Sequence, residues 1–83
     1  MKNNIKISAL VIAHNEEKIL ASCLKNLVYA DELVVVLDKT NDKSRVIAKK
    51  YTAKIFEGNW NIEANRRNFG IKKCSGDWIL EID

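Results

Sequence analysis

Asp38 and Asp83 each stand directly after a hydrophobic run that reads as a strand, L-V-V-V-L before the first and W-I-L-E-I before the second. A carboxylate in such a place loses water on one side, and that cost must be offset by a partner. It can accept from an N–H or hydroxyl of a ligand, or join other oxygens around a hard cation. Two more polar clusters follow hydrophobic runs, His14-Asn15-Glu16-Glu17 and Glu57-Gly58-Asn59, and for these a solvated loop is as good a reading as a site. Arg66 and Arg67 are adjacent on a helical stretch, so at most one points into any cleft. The lone histidine, His14, reads as a loop residue beside a ligand rather than an acid–base catalyst. Trp60 and Trp78 read as packing residues.

The inventory excludes other chemistries. Gly58, Gly70 and Gly76 are isolated, so no glycine-rich loop cradles phosphate. Cys23 and Cys74, far apart and joined only by His14, cannot assemble a zinc cluster, and they read as reduced, buried small hydrophobes. No nucleophilic triad can be built around His14. With 83 residues, 47% hydrophobic and 30% charged, the chain is one globular domain or a piece of one. Its net charge of +3 is mild and scattered, which argues against a nucleic-acid partner. No apolar run approaches the ~20 residues of a membrane span, and no cleavable leader is evident. A cytoplasmic location follows by default.

Elements that position these residues alternate cleanly. A strand over Ile5–Ile12 leads to a helix that Asn15 can cap, with Ile19, Leu20, Cys23, Leu24, Leu27 and Val28 as its apolar face. Leu33–Leu37 is continuous and β-branched, the mark of a strand covered on both faces. Asp42 caps a second helix with Val46, Ile47 and Tyr51 inward. A third strand at Ala53–Phe56, a third helix at Ile62–Lys73 and a fourth strand at Trp78–Ile82 complete the order β-α-β-α-β-α-β. Right-handed crossovers then give a Rossmann-like three-layer α/β/α parallel sheet of strand order 3-2-1-4, with any ligand at the strands' carboxyl ends.

Four segments carry a resemblance to family 2 glycosyltransferases of the GT-A fold. They are L-V-I-A-H-N-E-E (Leu10–Glu17), V-V-V-L-D-K-T-N-D-K-S (Val34–Ser44), E-A-N-R-R-N-F-G (Glu63–Gly70) and G-D-W-I-L-E-I-D (Gly76–Asp83). A-H-N-E-E, L-D-K-x-x-D-K-S and R-R-N-F sit nearest the branch resembling lipopolysaccharide-core β-1,4-glucosyltransferases. The resemblance implies an inverting transfer of a sugar from a nucleotide-sugar donor, a UDP-sugar, to a glycan or lipid-linked acceptor. It also implies that Ala13, Glu17, Asp38, Arg67 and Asp77 line the nucleotide. Asp83 matches the first aspartate of D-x-D, which helps hold a divalent cation, Mg²⁺ or Mn²⁺. Peripheral membrane association of the full-length enzyme stays open.

Departures from the family pattern are plain. Ile12 and His14 stand where a proline and an aromatic are frequent, and the acidic pair after the second strand is reduced to Leu37-Asp38. The second aspartate of D-x-D lies beyond residue 83, as do the acceptor half and the catalytic base that the family places downstream. Residues 1–83 are therefore expected to be a nucleotide-sugar-binding half, inactive alone, with no catalytic residue of its own. Two other readings fit less well. A receiver-like regulatory module needs an acidic pair after strand one, and Glu16-Glu17 matches it poorly. A sugar nucleotidyltransferase needs a glycine-rich loop that is missing.

Overall fold

The structure, a computed structural model, describes residues 5–40 and 43–82. Four strands, β1 (Ile7–Ala13), β2 (Glu32–Asp38), β3 (Ile55–Gly58) and β4 (Trp78–Ile82), form one parallel sheet in the order β3-β2-β1-β4. This is the expected order. Three helices connect them: α1 (Glu17–Lys25), α2 (Ser44–Ala48) and α3 (Glu63–Lys73). Strand alternation divides the core in two. Ala9, Val11 and Ala13 of β1 and Leu33, Val35 and Leu37 of β2 meet Leu20 and Leu24 of α1 and Ala48 of α2. Leu10, Ile12, Val34 and Val36 face the other way, against Phe69 of α3 with Phe56, Trp60 and Cys74. Both central strands are thus covered on both faces, which is why they read as unbroken apolar runs.

Several local expectations are corrected. Asn15 does not cap α1: it takes a left-handed backbone (φ 49°), and the cap position falls on Glu16. Ile19 and Val28 are exposed, because the inward seam is Leu20, Cys23, Leu24 and Leu27, and α1 ends at Lys25 before helical spacing can reach Val28. On the short α2, Ser44 and Ala48, one turn apart, take the buried side, leaving Val46 outside. Asp42, the expected cap of α2, lies outside the described residues. β3 starts at Ile55 rather than Ala53, because Thr52 Oγ1 donates to Leu33 O at 2.7 Å and accepts from Lys54 N at 3.0 Å, which shapes residues 52–54 as a turn. Cys23 and Cys74 are half-buried rather than buried, and burial pushes both thiols up. Trp78 sits exposed on the edge strand β4.

Glu32 stitches the amino-terminal edge of the sheet. Its carboxylate accepts from Ser8 Oγ (2.6 Å), Ser75 N (2.8 Å) and Lys54 Nζ, so β1, β2 and the segments before β3 and β4 meet on one acid. The Lys54 ammonium, then the Ser8 and Ser75 donors, hold its pKa down from 4.5 to about 2. A depressed carboxylate contributes stability that is complete above its unfolded pKa and is lost as pH falls toward the folded one. Thermal melts of the wild type should therefore lose about 2 kcal/mol between pH 4.5 and pH 2, discounted for the half-exposed Lys54. Glu32→Gln should flatten that part of the profile, and an unchanged profile in the variant would remove Glu32 from this role.

Candidate functional site

The carboxyl ends of β1 and β2 turn away from the sheet through two non-glycine residues with left-handed backbone, Asn15 (φ 49°) and Lys39 (φ 54°). Asparagine tolerates that region, whereas for lysine it costs of order 1 kcal/mol, and such strain gathers where a fold shapes a ligand site. The turn at Lys39 is fixed by its N–H, which donates to Gly58 O at 2.8 Å. Behind it lies Asp38, only 3% exposed. Its Oδ1 accepts from Trp60 N at 3.0 Å and its Oδ2 from Arg66 Nη1 at 2.8 Å. Burial alone would push the Asp38 carboxyl up, but the Arg66 guanidinium, the Trp60 N–H and the nearby Lys39 charge outweigh it and hold it below the usual carboxylate range. Asp38 is therefore a buried anion, ionised at neutral pH.

His14 closes one side, with Nδ1 at 2.7 Å from Asp38 O. A carbonyl only accepts, so Nδ1 carries the proton of this bond and Nε2 is the ring nitrogen not engaged in it. Trp60 closes another side. Its indole lies against Gly58, where an added Cβ would come within 2.5 Å of the ring, and the same ring packs at a tilt on Phe69, 5.1 Å between centroids. A cavity of about 230 Å³ results, lined by His14, Asp38, Lys39, Asn61, Glu63 and Arg66 together with Trp60. Its two basic residues match its two acids, so it suits a neutral hydrogen-bonding group rather than a polyanion. Lys39 also lines a second cavity of about 450 Å³ beside the end of β3, with Thr40, Glu57 and Asn59.

Of the residues expected at this site, the structure brings only Asp38 into the cleft. Arg67, expected beside Asp38, instead donates through Nε to Glu81 of β4 at 2.6 Å, and it is Arg66 that reaches Asp38. The reason is helical phase. Gly70 and Phe69 mark the sheet-facing side of α3, and Arg66 lies one turn before them while Arg67 is rotated toward β4. Asp77 is corrected more sharply. It precedes a strand that runs parallel to β1, so it sits at the opposite, amino-terminal edge, accepting from Lys6 N at 2.9 Å. Glu17 accepts from Lys43 N at 3.2 Å, at the start of α2, and does not line the cleft. The Ala13 side chain packs on the α1 and α2 side of the sheet, the face opposite Asp38. Asp83 lies outside the described residues.

A parallel α/β sheet with a charged cleft at its carboxyl edge is shared by many enzymes, so family must come from sequence. Residues 8–83 match the family model described as glycosyl transferase family 2. The chain belongs to glycosyl transferase family 2. It is 38% identical over 82 residues to an uncharacterized glycosyltransferase of Rickettsia bellii, covering 94% of this chain and 27% of that protein. A second uncharacterized glycosyltransferase, from Rickettsia felis, is 36% identical over 81 residues, with 94% and 28% covered. The lipopolysaccharide core biosynthesis glycosyltransferase LpsC of Rhizobium meliloti is 26% identical over 84 residues, with 95% and 31% covered. The chain thus spans under a third of the length of these curated relatives. Divalent cations are typical of family 2 enzymes. Among the described residues no group of three or more His, Cys, Asp or Glu side chains could hold one.

Proposed function

We propose that these residues form the nucleotide-binding part of an inverting family 2 transferase, which takes a UDP-sugar and passes the sugar to a glycan or lipid-linked acceptor of lipopolysaccharide type. The observation that carries this reading is Asp38, a buried carboxylate with two internal donors and further lone pairs toward an otherwise near-neutral cleft. A uracil offers an imide N–H to such an acceptor, and His14 Nε2 can share a hydrogen bond with a ribose hydroxyl, which both donates and accepts. Arg66 acts as a positioning residue, holding Asp38 in one orientation. The end of β4 lies two strands from that of β2, roughly 10 Å across the sheet, so a diphosphate can reach from this cleft to the end of β4, the strand that Asp83 follows in sequence. A cation held there would neutralise the leaving diphosphate. The reading places the enzyme in the cytoplasm, where nucleotide sugars are made, and leaves the acceptor half to sequence outside this match.

Calorimetric titration of the chain with UDP, UMP and CMP tests it. UDP and UMP should bind with similar affinity, because the cleft recognises the base rather than phosphate, and CMP, without the imide N–H, should bind at least tenfold more weakly. Arg66→Ala should weaken UDP at least tenfold and Arg67→Ala by less than threefold, a hydrogen-bonded charge being worth about 1.5–3 kcal/mol. The reverse order, or equal binding of UMP and CMP, would contradict the assignment. Donor turnover by the 83 residues alone should be undetectable.

A further inference from the structure

α1 and α2 lie side by side on the face of the sheet opposite the cleft, joined through one apolar cluster. Residues 17–25 and 43–50 carry six of the 14 basic residues, Lys18, Lys25, Lys43, Arg45, Lys49 and Lys50, and one of the 11 acids, Glu17. All six bases are exposed. The acids that form ion pairs elsewhere are already taken: Glu32 by Lys54, Asp38 and Glu63 by Arg66, and Glu81 by Arg67. Among the described residues of this layer, Arg45 pairs with Glu57 and the five lysines have no ion pair. With Glu16 at the N-cap of α1 counted as a second acid, this layer still carries an excess of basic side chains. Apolar side chains are exposed in the same layer: Val46 (61%) on α2, and Val28 (59%) and Tyr29 (66%) just past the end of α1.

We propose that this α1–α2 face docks on an anionic lipid surface, its lysines against the headgroup phosphates and Val46, Val28 and Tyr29 in the headgroup boundary. Basic side chains gain from the negative potential of such a surface, and apolar ones gain by leaving water at the boundary. A nucleic acid would satisfy the lysines but has no use for the apolar residues, which favours lipid. The inference rests on this layer alone and stands or falls separately from the nucleotide reading.

Co-sedimentation of the chain with vesicles tests it, using phosphatidylcholine alone and phosphatidylcholine mixed with phosphatidylglycerol. The chain should partition onto the mixed vesicles and not the neutral ones. Lys49→Gln/Lys50→Gln should weaken partitioning about thirty-fold, an effect that fades in high salt. Val46→Ser should weaken it several-fold at any salt. UDP affinity and the circular-dichroism spectrum should be unchanged in both variants. Equal binding to neutral vesicles, no effect of the lysine pair, or duplex DNA bound as tightly as the mixed vesicles with Val46→Ser neutral on both, would each overturn the proposal.

Discussion

Asp38→Asn is expected to abolish measurable UDP binding and to destabilise the fold by roughly 3 kcal/mol. Both effects have one origin. The carboxylate is buried and accepts from Arg66 and from Trp60 N, so the amide takes away the nearest and most buried acidic partner of a side chain that is 21% exposed and leaves it the longer pair with the exposed Glu63. Removing one member of a buried pair leaves the other charge uncompensated, and that costs more than the pair itself contributes. Asp38→Asn/Arg66→Met should therefore recover part of the lost stability, while UDP binding stays absent. Urea unfolding of the two variants decides this. A double variant no more stable than Asp38→Asn would show that the ion pair is not the source of the loss.

Gly76→Ala is expected to destabilise by about 3 kcal/mol, lowering Tm by more than about 10 °C in a domain of this size. A Cβ there would lie 2.6 Å from Ser8 Oγ, 2.8 Å from Ser8 N and 3.0 Å from Lys6 O. Two of those atoms are backbone of β1 and its lead-in, which cannot yield without breaking the hydrogen bonds of Asp77 N and Trp78 N to Lys6 O. Gly70→Ala is the informative control. Its Cβ would meet the tips of Leu10 and Val36, which can rotate, and alanine gains about 1 kcal/mol of helix propensity. Gly70→Ala should therefore cost clearly less than Gly76→Ala. Equal losses would mean that side-chain crowding, not backbone approach, sets the cost at Gly76.

The β-α alternation, the parallel sheet and its strand order were legible because Leu33–Leu37 is apolar without a break, which only a doubly covered strand requires. Asp38 was legible for a related reason, as an acid continuing that run into partial burial. Arg66 was missed because a motif names a residue and not a helical phase. Its spacing of four from Gly70 and three from Phe69 was the signal that could have found it. Asp77 shows what a motif leaves out: it precedes β4, and in a parallel sheet the residue before a strand lies at the edge opposite the residue after it. The exposure of Val46 and Val28 was not legible, since it depends on where two short helices end, and helix ends follow tertiary contacts more than propensity.

Nucleotide binding at the carboxyl ends of β1 and β2, around Asp38, has a direct readout. Titrating UDP into ¹⁵N-labelled chain and following the backbone amides tests it residue by residue. Saturable shifts are expected at His14, Lys39, Trp60 and Asn61, which line the Asp38 cleft, with Lys6, Asp77 and Trp78 at the far edge unmoved. Shifts centred on Lys6 and Asp77, or none in the cleft at saturating UDP, would contradict it.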